Sequence, residues 1–265
     1  MYEGKVAVIT GAGSGIGMEL ARQLAARGAR LALSDVDAGG LEHTVRVIGA
    51  GPEVRTYLLD VSKRDAVFAH AADVKRDFGT AHFVFNNAGV SLAATIEHAS
   101  IEEIEWLLSI NLWGVIYGTK AFLPMLLAQH EGCIVNISSV FGLVAVPCQG
   151  LYHISKFAVR GLTECLWREL EGTGVRAVSV HPGGIRTAIA KAAPMAKRAN
   201  ATELAMVKKI SDSLQTSPED CAADVLKQIA RGRNRVVTGS RARLIELLPR
   251  LFPYRYGRVL AGLGF

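Results

Sequence analysis

Seven short apolar runs, separated by stretches of helical period, leave few folds open to this chain. The runs are "KVAVIT" (5–10), "ARLALSD" (29–35), "VRTYLLD" (54–60), "HFVFNN" (82–87), "CIVNIS" (133–138), "VRAVSV" (175–180) and "NRVVTG" (234–239). They are nearly continuous in apolar and β-branched residues, the pattern of strands covered on both faces. Helical patterns lie between them, among them 15–27, 37–48, 62–78, 101–129 and 153–171. Strands alternating with helical crossovers predict an α/β fold: a doubly wound parallel sheet of about seven strands in three αβα layers. The 265 residues suit one such domain. No internal repeat and no linker rich in Gly, Pro or Ser divides them. The expected organisation is one domain over 1–240 and an extension over 241–265.

Composition excludes several classes. Half of the residues are hydrophobic and a fifth are charged, which is ordinary for a chain with a good core and argues against disorder. The cysteines (Cys133, Cys148, Cys165, Cys221) form no C-x-x-C pair, so neither a zinc knuckle nor a redox motif is expected. Reduced thiols and a cytoplasmic location are the simple expectation. The start, "MYEGKVAVITG", runs straight into a strand, and no signal peptide is expected. Residues 132–155 hold no Asp, Glu, Lys or Arg. They do carry Asn136, Ser138, Ser139, Pro147 and Gln149, whose polar groups would be costly in hydrocarbon, so a buried strand and a cleft loop fit better than a membrane span.

The net charge of +6 is uneven. From Lys227 onward there are nine basic residues against one acid, Glu246, while the rest of the chain is slightly acidic. The tail "RARLIELLPRLFPYRYGRVLAGLGF" interleaves Arg with Leu, Phe and Tyr. Packing on a subunit or on the core is the first reading of it, and contact with an anionic membrane surface the second. Nothing else in the chain favours nucleic acid.

In open parallel sheets, ligands sit outside the carboxyl ends of the strands. After the first run comes "TGAGSGIG", with Gly11, Gly13, Gly15 and Gly17 around Ser14 and Ile16. Such a turn lets backbone approach a pyrophosphate, and the helix that follows offers free N–H groups and a positive dipole end. The second strand ends at Asp35, followed by Val36. An acid there can bind both ribose hydroxyls and repel a 2′-phosphate, or it can simply start the next helix. With no cation at Ser14 or Val36, NAD is favoured over NADP. The third strand ends in Asp60-Val61 and the fourth in "NNAG" (86–89), which places Asn87, Ala88 and Gly89 at the same edge. Tyr152 and Lys156 lie four apart, on one face of a helix. Taken alone, that spacing also fits a surface pair.

Together these motifs resemble the short-chain dehydrogenase/reductase family. The matching residues are "TGAGSGIG", Asp60, "NNAG", Asn111, Ser139 with Tyr152 and Lys156, and "HPGGIRT" (181–187), in the family's order over about 3–190. The resemblance implies a single Rossmann domain, a nicotinamide cofactor and no metal. It implies Tyr152 as general acid/base, with its phenol acidified by Lys156 and by the cofactor's positive nicotinamide together, and Lys156 also binding the nicotinamide ribose. "ISSV" offers two serines, and the family spacing selects Ser139 to polarise the substrate carbonyl. Asn111 would support a water relay to the lysine. Pro182 and Gly183 would shape the turn under the nicotinamide, and Ile185 and Thr187 would hold its carboxamide. His153 and His181 are expected to be structural. The family also implies a dimer or tetramer through the helices at 101–129 and 153–171.

The expected substrate pocket is formed by 90–96, 140–151 and a lid at about 187–210. The uncharged "VFGLVAVPCQGL" argues for a lipophilic secondary alcohol or its ketone. An aldehyde or a 3-oxoacyl thioester stays open, as do epimerisation or dehydration on the same fold and a non-catalytic NAD-binding scaffold.

Overall fold

The structure is a computed structural model and describes residues 1–187, 196–212 and 214–262. All seven expected strands are present: β1 (Val6–Thr10), β2 (Arg30–Asp35), β3 (Val54–Leu58), β4 (Phe83–Asn86), β5 (Gly132–Ile137), β6 (Val175–Gly183) and β7 (Arg235–Gly239). They form one parallel sheet in the order β3-β2-β1-β4-β5-β6-β7. The order reverses between β1 and β4, so a crevice opens there at the carboxyl edge. The strands bury both faces except at the edge strand β3, where Arg55, Thr56 and Leu58 are exposed, contrary to the doubly covered pattern expected of that run. Ala7 and Ile9 of β1 join one core cluster, and Val6 and Val8 the other. Alternate side chains of a strand point to opposite faces, which is why one short run feeds two cores.

The helices are α1 (Gly15–Ala25), α2 (Ala38–Ile48), α3 (Arg64–Phe78), α4 (Ile101–Leu108), α5 (Gly114–Ala128), α6 (Gly150–Glu169), α7 (Ala201–Asp212), α8 (Pro218–Ala230), α9 (Ala242–Leu251) and α10 (Tyr256–Gly262). Leu20 and Leu24 of α1 pack with Val225, Leu226 and Ile229 of α8 on one side of the sheet. Phe122 and Leu126 of α5 and Leu166 of α6 cover the other. Each such fully buried side chain contributes about 1.5–3 kcal/mol by leaving water. Local signals set the helix starts. Ser217 accepts from the Asp220 N–H at 3.0 Å with Pro218 at the first position of α8. Ser100 and Glu103 form a reciprocal capping box on α4.

Two elements depart from the sequence reading. The helix expected over 101–129 is broken by a π turn at Ser109–Trp113, with Asn111 at its centre. β6 runs three residues past Val180 and takes in Pro182, because beyond Val180 it pairs β7 alone. By length and composition, Ile101–Ala128 is apolar enough to cross a bilayer. Here Leu107, Phe122 and Leu126 from that run are buried in the core. The uncharged stretch 132–155 forms β5, the cleft loop and the start of α6.

The extension is packed onto the domain. Ala242, Ile245 and Leu248 of α9 and Leu260 of α10 share a cluster with Val140, Val144 and Val237.

Candidate active site

A cleft of about 490 Å³ opens along the carboxyl edge, where the strand order reverses. At one end lies the glycine turn. Gly11 and Gly15 take positive φ (66° and 54°), a conformation that favours glycine. A Cβ on Gly11 would stand 2.8 Å from the Ala88 Cα, and one on Gly17 would overlap the Gly11 carbonyl oxygen. The turn therefore packs against "NNAG" at backbone contact. Asn87 Nδ2 fastens the two by donating to the Thr10 and Gly11 carbonyls at 2.9 and 3.1 Å. The Ser14 side chain makes no cap bond on α1, so the first-turn N–H groups have no side-chain partner. Gly11, Ser14, Gly15 and Ile16 line the cleft, whereas Gly13 and Gly17 do not. Gly13 instead donates its N–H to Asp35 Oδ2 at 2.8 Å, and Asp37 donates its N–H to Oδ1 at 3.1 Å. Asp35 is thereby aimed into the cleft beside Val36, Asp60 and Val61. Asp60 is held in turn by the Ser62 N–H at 2.9 Å.

This end fits a dinucleotide. It combines a glycine cradle, open helix N–H groups and an oriented carboxylate. Lys156 and Arg241 are the cations among the described lining residues, and neither sits at the Asp35 end.

At the centre, Ser139, Tyr152 and Lys156 all face the cleft. The two neighbouring serines separate cleanly. Ser138 Oγ donates to the Lys156 carbonyl at 2.8 Å and is spent on structure. Ser139 Oγ accepts from the Phe141 N–H at 3.1 Å and pulls the Tyr152 pKa downward. Lys156 is 3 % exposed and donates Nζ to the Ile137 carbonyl at 3.0 Å. Its ammonium stands 5.4 Å from the centre of the Tyr152 ring.

The expected acidification of Tyr152 is not delivered by these residues alone. Burial pushes its phenol up to about 12, against the smaller downward pull of the Ser139 hydroxyl. Burial also pulls the Lys156 ammonium down to about 8. Both shifts disfavour the charged form, as desolvation does.

Asn111 lies behind the cleft wall, fully buried. Its Oδ1 accepts from the Val90 N–H at 2.8 Å, and its Nδ2 donates to the Val90 carbonyl at 2.8 Å and to Ser155 Oγ at 3.2 Å. The side chain braces the Val90 segment and ties it to α6. Ala88, Gly89, Pro182, Ile185 and Thr187 line the cleft. Gly183 does not: a Cβ there would point at Val140 and Ala242, and Gly184 takes its place in the wall. Thr187 lies against Gly15, 3.4 Å from where a Cβ would be.

Both histidines beside the site are structural. His153 Nδ1 donates to the Phe141 carbonyl and Nε2 accepts from the Val146 N–H, each at 2.9 Å, which pins the cleft loop. His181 Nδ1 donates to the Ser139 carbonyl at 3.0 Å, and Ser179 Oγ donates to its Nε2 at 2.9 Å. Burial holds His181 neutral, down to about 4.

Val207 and Ile210 of α7 line the far wall, within the span expected as a lid, of which 188–195 lie outside the described residues. The sequence reading missed the rest of that wall: Ser211, Leu214, Gln215 and Ser240, with Arg241 and Ile245 from the extension. The alternation of buried Ala242, Ile245 and Leu248 with basic residues was the one available signal that the tail folds back. Among the described residues, no group of three or more His, Cys, Asp or Glu is placed to hold a metal ion.

Known proteins agree with this geometry. A sequence model described as short chain dehydrogenase matches residues 5–198. A Mycobacterium tuberculosis protein named as the oxidoreductase SadH is 46% identical over 263 residues, 98% of this chain and 95% of the relative. A short chain dehydrogenase/reductase from Burkholderia phymatum, solved in complex with NAD, superposes with a TM-score of 0.88 at 33% identity, covering 96% of each chain. A metagenomic short-chain oxidoreductase in complex with NADP gives 0.74 at 29% identity, covering 90% of this chain and 98% of that one. The chain belongs to the short-chain dehydrogenase/reductase family, whose members are oxidoreductases that use a nicotinamide cofactor.

Proposed function

We propose that the chain interconverts a lipophilic secondary alcohol and its ketone with NAD as cofactor. The observation that carries this is one cleft that joins the Asp35 end, the Ser139–Tyr152–Lys156 set and an apolar wall of Phe141, Val207, Ile210, Leu214 and Ile245.

Bound nicotinamide would supply the hydride carrier and, when oxidised, a positive ring charge. The residues that would hold it are Gly11, Ser14, Gly15, Ile16, Asp35, Val36, Asp60, Val61, Ala88, Gly89, Ile185 and Thr187, with Lys156 at the ribose. Ser139 Oγ fixes the substrate oxygen next to the Tyr152 hydroxyl. With a phenol pKa near 12, Tyr152 holds its proton at neutral pH and is the acid for ketone reduction. In alcohol oxidation it must first give that proton up; the phenolate, which the Lys156 ammonium and the positive ring of bound NAD would favour, then takes the proton of the alcohol. Lys156, near 8, is the group whose charge answers to pH around neutrality. NAD is preferred because Asp35 would oppose a 2′-phosphate and Val36 offers no cation to offset it.

Exposed Trp106, Trp113, Ile154 and Phe157 on the α4–α6 side suit self-association through those helices.

A panel of secondary alcohols of rising chain length, followed at the NADH absorbance, tests the reading. Turnover should improve with length until the apolar wall is filled. Tyr152→Phe should abolish it while NADH binding persists. Undiminished turnover in that variant would refute the mechanism, and tighter NADPH than NADH binding would refute the cofactor assignment.

A further inference from the structure

The outer face of α9 is apolar although the fold does not use it. Its inner face is complete, with Ala242, Ile245 and Leu248 seated on Val140, Val144 and Val237. Leu244, Leu247 and Leu251 then fall on a second stripe, spaced three and four apart. They are exposed to 43%, 46% and 59%. The turn after the helix continues the patch with Phe252 and Tyr254, the latter 98% exposed. Four exposed arginines frame it: Arg243, Arg250, Arg255 and Arg258. The acid of this segment, Glu246, is turned to Arg235 and Arg250, at 3.4 and 3.1 Å. The patch is therefore leucine and aromatic at its centre and cationic at its edge.

We infer that this face docks on an anionic lipid surface. Leucines and an interfacial tyrosine insert shallowly, and arginines at the flank reach back to lipid phosphates. A second copy of the chain fits less well. A two-fold interface would join two copies of the same patch, each with a cationic edge and no outward acid to offset it. The chemistry of this patch asks for a partner that is both apolar and negative.

Position adds to the argument. Arg241 and Ile245, at the start of the same helix, line the cleft, so docking would set the substrate end of the site beside the lipid. That consequence rests on the proposed lipophilic substrate, whereas the docking does not.

Co-sedimentation of the full chain with phosphatidylcholine vesicles, with and without phosphatidylglycerol, is the test. The chain should sediment with the anionic vesicles only, and raised salt should release it. Arg255→Gln and Arg258→Gln should each weaken binding about fivefold. The double variant Leu247→Glu with Leu251→Glu should abolish binding while turnover of a water-soluble alcohol stays unchanged. No sedimentation with anionic vesicles overturns the inference, and so does undiminished binding of the double variant. A wild-type chain that ignores vesicles, but whose mass by light scattering falls in the double variant, would assign the face to a second copy and overturn it equally. Sedimentation needs no turnover, so failure here and failure of the dehydrogenase reading are separate results.

Discussion

Asp35 is held by two backbone N–H groups before any ligand arrives, Gly13 to one oxygen and Asp37 to the other. The carboxylate is thus pre-aimed, and little rotamer entropy remains to be lost on binding. Asp35→Ala should weaken NADH about tenfold, in line with a charge-assisted hydrogen bond of ~1.5 kcal/mol, and should narrow the margin over NADPH. Fluorescence titration with both cofactors reads it. An unchanged NADH:NADPH ratio would remove Asp35 from the selectivity argument. His181 acts one step further back. Its ring bridges the Ser139 carbonyl and the Ser179 hydroxyl inside the core. His181→Ala leaves the Ser179 hydroxyl without its partner and the Ser139 carbonyl with the Gly142 N–H alone, at 2.9 Å, so urea unfolding should show a loss of about 1–3 kcal/mol. The variant should also turn over more slowly because Ser139 is less well fixed.

At the scale of elements, one buried carboxylate ties a wall of the cleft together. Glu203, in the first turn of α7, accepts from the Thr95 N–H, from the Asn200 N–H at 2.7 Å and from His98 Nδ1 at 2.9 Å. Those backbone bonds hold its carboxyl down to about 2. α7 carries Val207 and Ile210 into the cleft, so the bonds to Thr95 and His98 fix the pocket's width. Glu203→Gln replaces an acceptor with a donor facing N–H groups. KM for the alcohol should rise while NADH affinity stays, because the glycine turn is untouched. A depressed carboxyl keeps its contribution above the ordinary value near 4.5 and loses it only as pH falls through about 2, so wild-type KM should stay flat between about pH 5 and 8 on this account. Glu203 also shows where reading the sequence stopped. Its role needs Thr95 and His98, about a hundred residues away, and no local pattern pairs them. Six of the strands were legible because a doubly covered strand writes its burial into nearly every residue, and the exposed edge strand β3 through its β-branched and aromatic residues, Val54, Thr56 and Tyr57. The π turn at Ser109–Trp113 was not, because one extra residue per turn barely disturbs an apolar period. The sixth run was read only to Val180, with Pro182 in a turn, because the partner that Pro182 pairs with, Thr238 on β7, cannot be inferred from the run itself.

The molecule as a whole carries its pH range in buried groups on both sides of neutrality. His70 and His181 are both lowered to about 4 by burial, and His153 is shifted in the same direction. An unfolded histidine titrates near 6.5. Between about 6.5 and 4 the unfolded chain therefore binds more protons than the folded one, and stability falls as pH falls. It is whole above about 6.5. Each histidine contributes a slope of up to ~1.4 kcal/mol per pH unit in that window. On the alkaline side, Cys133, Cys221, Tyr2 and Tyr152 are all raised to about 12. Their unfolded counterparts ionise first, so stability falls again above about pH 9. Lys156 acts oppositely between about 8 and 10.5 but is one group against four. Urea midpoints should form a plateau between about pH 6.5 and 9 with a fall on either side. His70 isolates one contribution to the acid limb. Both of its ring nitrogens are buried without a hydrogen-bond partner, and the ring lies edge-on to Tyr57 at 4.6 Å. His70→Leu removes two unsatisfied polar atoms at similar volume. It should raise stability by about 1 kcal/mol at pH 7 and by more at pH 5, where the wild-type chain already loses by refusing a proton. A gain that stays constant from pH 7 to pH 5 would show that His70 takes no part in the acid limb, and would leave His181 and His153 to account for it.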